Sequence, residues 1–293
     1  MTQIRELAGR TIVITGATAG IGLAAMTALA ERGASLIGIG RSASRCRNAA
    51  QSIRTEYPHA QVKYITADLS SQRQVRTLAD TIHETIDRTG GQGVDALVNN
   101  AGTVSTWYTA TEDGYELQFA VNHLAPFLFT HLLMPLLLAS PAGRVVTVSS
   151  GSHYRTGIWW NDVMHRRNYQ CLHAYKQSKL ANVLFSAEFN RRMVGTSVRA
   201  YAADPGLVNT QIGLKGTSGI ERWVWRRRMA RGTTPQRGAE TIVYLAANPA
   251  VVGSEEVYWK DCKPKKPSRY ARQPEHANRL WQLSERLCGI IWN

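Results

Sequence analysis

The strongest constraint on this 293-residue chain lies near its start. Arg10 to Thr15 reads as a short buried strand. Gly16-Ala17-Thr18-Ala19-Gly20-Ile21-Gly22 follows at once, and Leu23 to Arg32 is an Ala/Leu-rich helical run closed by Gly33. A strand that enters a helix through three glycines is the setting in which a glycine motif means a dinucleotide. Gly16 permits the tight turn, Gly20 lets main chain approach a pyrophosphate, and Gly22 lets helix and strand pack closely. The helix N-terminus, with its free N–H groups, favours the anion.

The pattern then repeats. Residues 34–40, 61–66, 94–98, 143–148 and 197–203 read as strands, with Ser71 to Arg88 helical among them. Strands alternating with helices imply an α/β fold: a single-domain, doubly wound Rossmann-type, mostly parallel sheet with helices on both faces. Ligands bind beyond the carboxyl ends of such strands, and Asp68, Asn100 and Gly102 fall there. At the end of the second strand a cofactor lacking the 2′-phosphate usually meets an acid. This chain has Gly40-Arg41-Ser42 with Arg45 close behind. A carboxylate repels a 2′-phosphate and a guanidinium binds it bidentately, so NADP(H) is expected over NAD(H).

A second constraint is Ala174-Tyr175-Lys176-Gln177-Ser178-Lys179, continued by a Gly- and Pro-free apolar run to Phe185. Four residues apart on a helix, Tyr175 and Lys179 share one face. A free tyrosine is ionised roughly once in a thousand at neutral pH. A cation within reach lowers an acid's pKa by about 1–3 units. Tyr175 is thereby suited to general acid/base work. With a phenol as proton carrier no catalytic histidine is required, and His123, His153 and His173 read as structural.

Composition bounds the rest. Hydrophobic content of 44% and charged content of 19%, without a linker or repeat, fit one globular domain over residues 1–293. The four cysteines, at 46, 171, 262 and 288, lack metal-type spacing and read as free thiols of a reducing compartment, the cytoplasm. The N-terminus has no signal-type apolar run, and the apolar stretch Ala125 to Leu138 reads as one buried helix. The net charge of +14 has no nucleic-acid motif beside it, so nucleic acid is not an expected partner; an anionic cofactor or lipid is.

In order and spacing, these motifs resemble the short-chain dehydrogenase/reductase family over roughly residues 8 to 250. The matches are Thr15 to Gly22, Asn99-Asn100-Ala101-Gly102, the helix residue Asn122, the strand-end Ser150, Tyr175 to Lys179, and Pro205-Gly206 with Thr210. The segments Val121-Asn122-His123-Leu124, Ser178 to Asn182 and Tyr258-Trp259-Lys260-Asp261-Cys262 are similar to the retinol-dehydrogenase-like branch, with Glu256 where that branch often has glycine. Many members of that branch carry an N-terminal membrane anchor, which is not seen in this sequence.

The resemblance implies a carbonyl/alcohol oxidoreductase for a bulky, lipophilic small molecule. Tyr175 would be the proton carrier, Lys179 its pKa partner and ribose ligand, Ser150 rather than Ser149 the donor to the substrate oxygen, and Asn122 the holder of a water. Ile21 and Leu69 join the cofactor contacts, and Val208 and Thr210 would anchor the carboxamide. Residues 211–235 would form a substrate lid and 260–293 a C-terminal extension. Trp223, Trp225 and Arg226-Arg227-Arg228, within 219–231, suit a peripheral membrane contact. Homo-oligomers are common in the family. A non-catalytic redox sensor, or an epimerase or dehydratase built on the same Tyr/Lys pair, is the alternative.

Overall fold

The computed structural model describes residues 5–209 and 232–292. Strand β1 (Thr11–Thr15) leads through the glycine turn into α1 (Gly20–Glu31). The chain then alternates β2 (Ser35–Gly40), α2 (Ala43–Glu56), β3 (Val62–Thr66), α3 (Gln72–Arg88) and β4 (Ala96–Asn99). Ser42 and Ser71 cap α2 and α3 by accepting from the N–H three residues on, so each helix starts where its first hydroxyl can replace a missing partner.

Further along come α4 (Leu117–Phe119), a π-turn (Ala120–Leu124), α5 (Ala125–Leu132), α6 (Met134–Leu138), β5 (Arg144–Val148), α7 (Cys171–Arg192) and β6 (Arg199–Asp204). The expected single helix over Ala125 to Leu138 is thus two helices. Pro135 has no N–H and its ring crowds the carbonyl four residues earlier, so the helix restarts at Met134. Pro126 acts likewise on the Asn122 carbonyl, depriving it of an α-helical donor. Beside it the Ala125 N–H bonds five residues back, to Ala120.

One sheet holds eight strands in the order β3-β2-β1-β4-β5-β6-β7-β8, where β7 is Tyr258–Lys260 and β8 is Lys263–Pro264. All pairings are parallel except β7 with β8. The chain runs outward from β1 to β3, then crosses back to β4, so the order reverses between β1 and β4. That reversal opens a crevice at the carboxyl ends of the strands. Strands covered on both faces must be apolar throughout, and β5 is buried at all five positions. In β1, Ile12 and Ile14 join one core while Val13 joins the other, as period-two alternation requires.

The last segment is no appendage. Helix α8 (Pro235–Ala247) packs on α1, and its first residue is the last of the expected lid. Helix α9 (Pro274–Cys288) lies on α7. Its Trp281 is buried 5.0 Å ring-to-ring from Phe127 and 5.9 Å from Phe185, and Trp292 lies 4.8 Å from Trp281. Burying two tryptophans makes the extension part of the core. Residues 211–231 of the lid, Thr210 and so the whole 219–231 segment lie outside the described residues. No helix among the described residues is long and apolar enough to cross a membrane.

Candidate active site

A cleft of about 650 Å³ opens at the crevice. Gly16, Gly20, Ile21, Gly22, Arg41, Arg45, Asp68, Leu69, Asn100, Gly102, Ser150, Tyr175, Lys179 and Val208 all line it. Residues separated by nearly two hundred positions thus meet because the carboxyl ends of neighbouring strands, and the helices α1, α2 and α7 beside them, face one crevice.

At one end the wall is main chain. Gly16 adopts φ +65°, and a Cβ there would lie 2.9 Å from the Ala101 Cα. A Cβ on Gly22 would collide with the Gly16 carbonyl. Asn100 fixes this turn: its side-chain amide donates to the carbonyls of Thr15, at 2.9 Å, and Gly16, at 3.2 Å. The N-terminus of α1 has Ala19 at its cap position and no side-chain acceptor, so its first N–H groups are left for a ligand. Beyond the turn, Arg41 and Arg45 are exposed, and among the described residues neither guanidinium has an ion-pair partner. Helix α2 has no acid in its first turn. Asp68 accepts from the N–H and hydroxyl of Ser70 at 2.9 and 2.8 Å. A side-chain-free cradle and an uncapped helix end fit a dinucleotide pyrophosphate, with the positive charge of Arg41 and Arg45 beside it.

At the other end the two serines part. Ser149 is buried and donates to the Lys179 carbonyl at 2.8 Å. Ser150 faces the cleft, its hydroxyl accepting from the Ser152 N–H at 3.2 Å. Tyr175 and Lys179 share a face of α7, the ammonium 5.7 Å from the centre of the phenol ring. Lys179 is buried and donates to the Val148 carbonyl at 3.0 Å; desolvation pulls its pKa down to about 8 from an ordinary 10.5.

Asn122 is the sequence-expected residue that does not reach the cleft wall. Its side chain pairs with both main-chain groups of Thr103, at 2.7 and 3.0 Å, and donates to Ser178 at 2.9 Å. It therefore braces the loop after β4 against α7.

Two supports behind the cleft, at Asp204 and His153, have partners that sequence reasoning did not identify. Asp204, buried at the end of β6, accepts from Gly206 N–H at 2.9 Å and Tyr258 hydroxyl at 2.7 Å, holding the Pro-Gly loop to β7. His153 bonds to Ser150 and Ser268. No local pattern reveals these pairings, because the partners lie 54 and 115 positions apart along the chain for Asp204–Tyr258 and His153–Ser268. The four cysteines are free, as expected from their spacing.

A doubly wound sheet, a glycine cradle at its switch point and a Tyr/Lys helix beside it define a dinucleotide-dependent oxidoreductase. The short chain dehydrogenase family model matches residues 10–219, and the chain belongs to that family. It is an NAD(P)-dependent oxidoreductase acting on CH–OH groups, of the retinol-dehydrogenase-like branch. Retinol dehydrogenase 14 of Mus musculus is 35% identical over 97% of this chain and 87% of its own length. An uncharacterized protein from Mycobacterium paratuberculosis superposes with a TM-score of 0.77 at 33% identity, covering 98% of this chain and 96% of that one. A short chain dehydrogenase from Shigella flexneri, complexed with NADP, shares the fold with a TM-score of 0.68 at 22% identity, over 89% of this chain and 100% of that one.

Proposed function

We propose that the protein interconverts a carbonyl and an alcohol on a bulky apolar molecule, using NADP(H) in preference to NAD(H). The observation that carries the chemistry is the position of Tyr175 and Ser150 on one cleft wall, with the buried Lys179 ammonium beside the phenol. Tyr175 gives a proton to the carbonyl oxygen in reduction and takes it back in oxidation. Ser150 donates a hydrogen bond to that oxygen as charge develops. Lys179, held by its hydrogen bond to the Val148 carbonyl, supports the phenolate by its charge. Asn122 offers its main-chain carbonyl, the one deprived of an α-helical donor by Pro126, as the seat of a water that links Lys179 to solvent. When bound, the nicotinamide supplies or accepts the hydride.

Arg41 and Arg45 support the NADP(H) preference, as a pair of unneutralised guanidinium groups suits a monoester phosphate. Leu172 and Leu207, both partly exposed at the cleft, support an apolar substrate. A membrane-surface source for that substrate rests on the Trp/Arg run within 219–231.

The test is oxidation of NADPH with a panel of long-chain, retinoid and aromatic aldehydes and ketones, alongside NADH and the Tyr175→Phe variant. Turnover that falls by about 10²–10⁴ in Tyr175→Phe, with NADPH binding kept, is expected. Tight NADPH binding with no carbonyl reduced by the wild type would instead favour a redox sensor or an epimerase.

A further inference from the structure

His153 sits in the 3₁₀ turn that follows Ser150, fully buried. Its Nδ1 lies 2.8 Å from the Ser150 carbonyl, and the Ser268 main-chain N–H reaches its Nε2 at 3.2 Å. An N–H can only donate, so Nε2 must be the bare nitrogen. The proton is then on Nδ1 and points at Ser150. The same carbonyl also accepts from the His153 main-chain N–H at 3.1 Å.

The ring is clamped as well as bonded. It lies 4.2 Å from the Tyr154 ring and 4.6 Å from the Tyr258 ring. Tyr154 donates to the Lys266 carbonyl at 2.7 Å, so two successive residues of the turn are tied to the segment 266–268. Tyr258 in turn holds Asp204, whose other oxygen holds Gly206 at the cleft. The groups that face His153 are therefore Ser150 and Tyr154 from its own turn, Tyr258 and Asp204 from β7 and the end of β6, and Ser268 from the C-terminal segment.

We propose that His153 is a positioning residue: a neutral imidazole strung between the Ser150 carbonyl and the Ser268 N–H, which aims the Ser150 hydroxyl and makes the C-terminal segment a working part of the active site. The proposal rests on Ser150 being the donor to the substrate oxygen. A charged imidazole would set an N–H on Nε2 against the Ser268 N–H, donor against donor. Burial opposes that charge and holds the His153 pKa below its usual range.

The test combines a double-mutant cycle with nitrogen NMR. His153→Phe keeps the ring and loses both bonds. His153→Asn restores a donor near the Nδ1 position. Each is made with Ser150 and with Ser150→Ala, and kcat, KM for the carbonyl, NADPH affinity and Tm are measured. In the Ser150 background, kcat is expected to fall about tenfold in His153→Phe, the loss of one aligned hydrogen bond, with NADPH affinity unchanged and partial rescue in His153→Asn. In the Ser150→Ala background the His153 substitutions should change kcat no further, because there is no hydroxyl left to aim. Independent multiplication of the two losses, or an Asn variant no better than Phe, overturns the proposal. Should the variants not fold, ¹⁵N NMR of the wild type decides: protonated Nδ1 with bare Nε2 supports it, and the opposite tautomer overturns it. If Ser150→Ala alone keeps full turnover, the assignment of Ser150 itself fails, which is a different result.

Discussion

The two ends of the cleft are built in opposite ways. The glycine end is local: Gly16 to Arg45 spans one strand, one helix and the start of the next βα unit, and its ligand groups are main-chain N–H groups and exposed guanidinium groups. The tyrosine end is assembled from afar. Ser150 comes from β5, Lys179 from α7 and Val208 from the loop after β6, and the supports of that end reach to Ser268. The first end is mostly encoded in one continuous stretch, with Asn100 reaching in from the end of β4 to fix the turn. The second depends on partners that only a finished sheet brings together, and it holds a buried cation that opposes folding.

That contrast is most sharply tested at Lys179. Lys179→Met should lower turnover by about 10²–10⁴, the usual scale for losing proton-transfer machinery, while raising Tm in the cofactor-free protein. The Val148 carbonyl keeps a donor in Asn182, at 3.0 Å, so the substitution strands no acceptor. The sign follows from the depressed pKa. With a folded pKa of about 8 against 10.5 in the free side chain, the unfolded chain holds the proton more tightly. The penalty is fully present below pH 8 and disappears as pH rises through 8 towards 10.5. The Tm gain should therefore be full at pH 7 and shrink above pH 8 in parallel melts. A Tm loss at pH 7 would mean that the buried ammonium stabilises the fold, against the contrast drawn above.

At the glycine end, removing charge should change cofactor choice and little else. Arg41→Ala with Arg45→Ala is expected to weaken NADPH about 10–100-fold, the range for lost charge-assisted bonds. NADH affinity and Tm should stay within error, since both side chains are exposed and unpaired among the described residues. Titration of both cofactors by fluorescence quenching checks this, and equal losses for the two would break the assignment to the 2′-phosphate.

Away from both ends the smallest effect on turnover is expected, and the change falls on acid stability instead. His123 is buried between Phe119 and Phe127 and bonds Ser284 at 2.9 Å. Ser284 spends its proton on the Leu280 carbonyl, so His123 Nε2 is the donor and Nδ1 is bare. Burial pulls its pKa to about 4. Between pH 6.5 and 4 the unfolded chain binds a proton that the folded one refuses, so stability is lost as pH falls through that window. His123→Gln should flatten the acid limb of Tm against pH by one proton's worth, on the order of 3 kcal/mol by pH 4. An unchanged limb would show that other buried histidines carry it.

How much could be read before the structure follows the same divide. The strand–glycine–helix run and the four-residue Tyr175–Lys179 spacing are local, and local spacing fixes backbone conformation and helix face. The resemblance already favours Ser150 over Ser149, but the physical reason, the Lys179 carbonyl of α7 claiming Ser149, appears only in the fold. Asn122 was legible as a residue and not as a contact: its amide is taken by Thr103 and Ser178, while Pro126, four residues on, deprives its carbonyl of an α-helical donor.

By itself, then, the sequence determined the doubly wound sheet, the cradle and the placing of Tyr175 and Lys179 on one helix face, since strand periodicity, glycine placement and helical spacing act within a few residues. Tertiary structure alone decided that the last thirty residues are core rather than tail. It also decided that Lys179 is desolvated, and that His153 ties Ser150 to Ser268. Burial and long-range hydrogen bonds are properties of what lies across the fold, and no spacing along the chain records them.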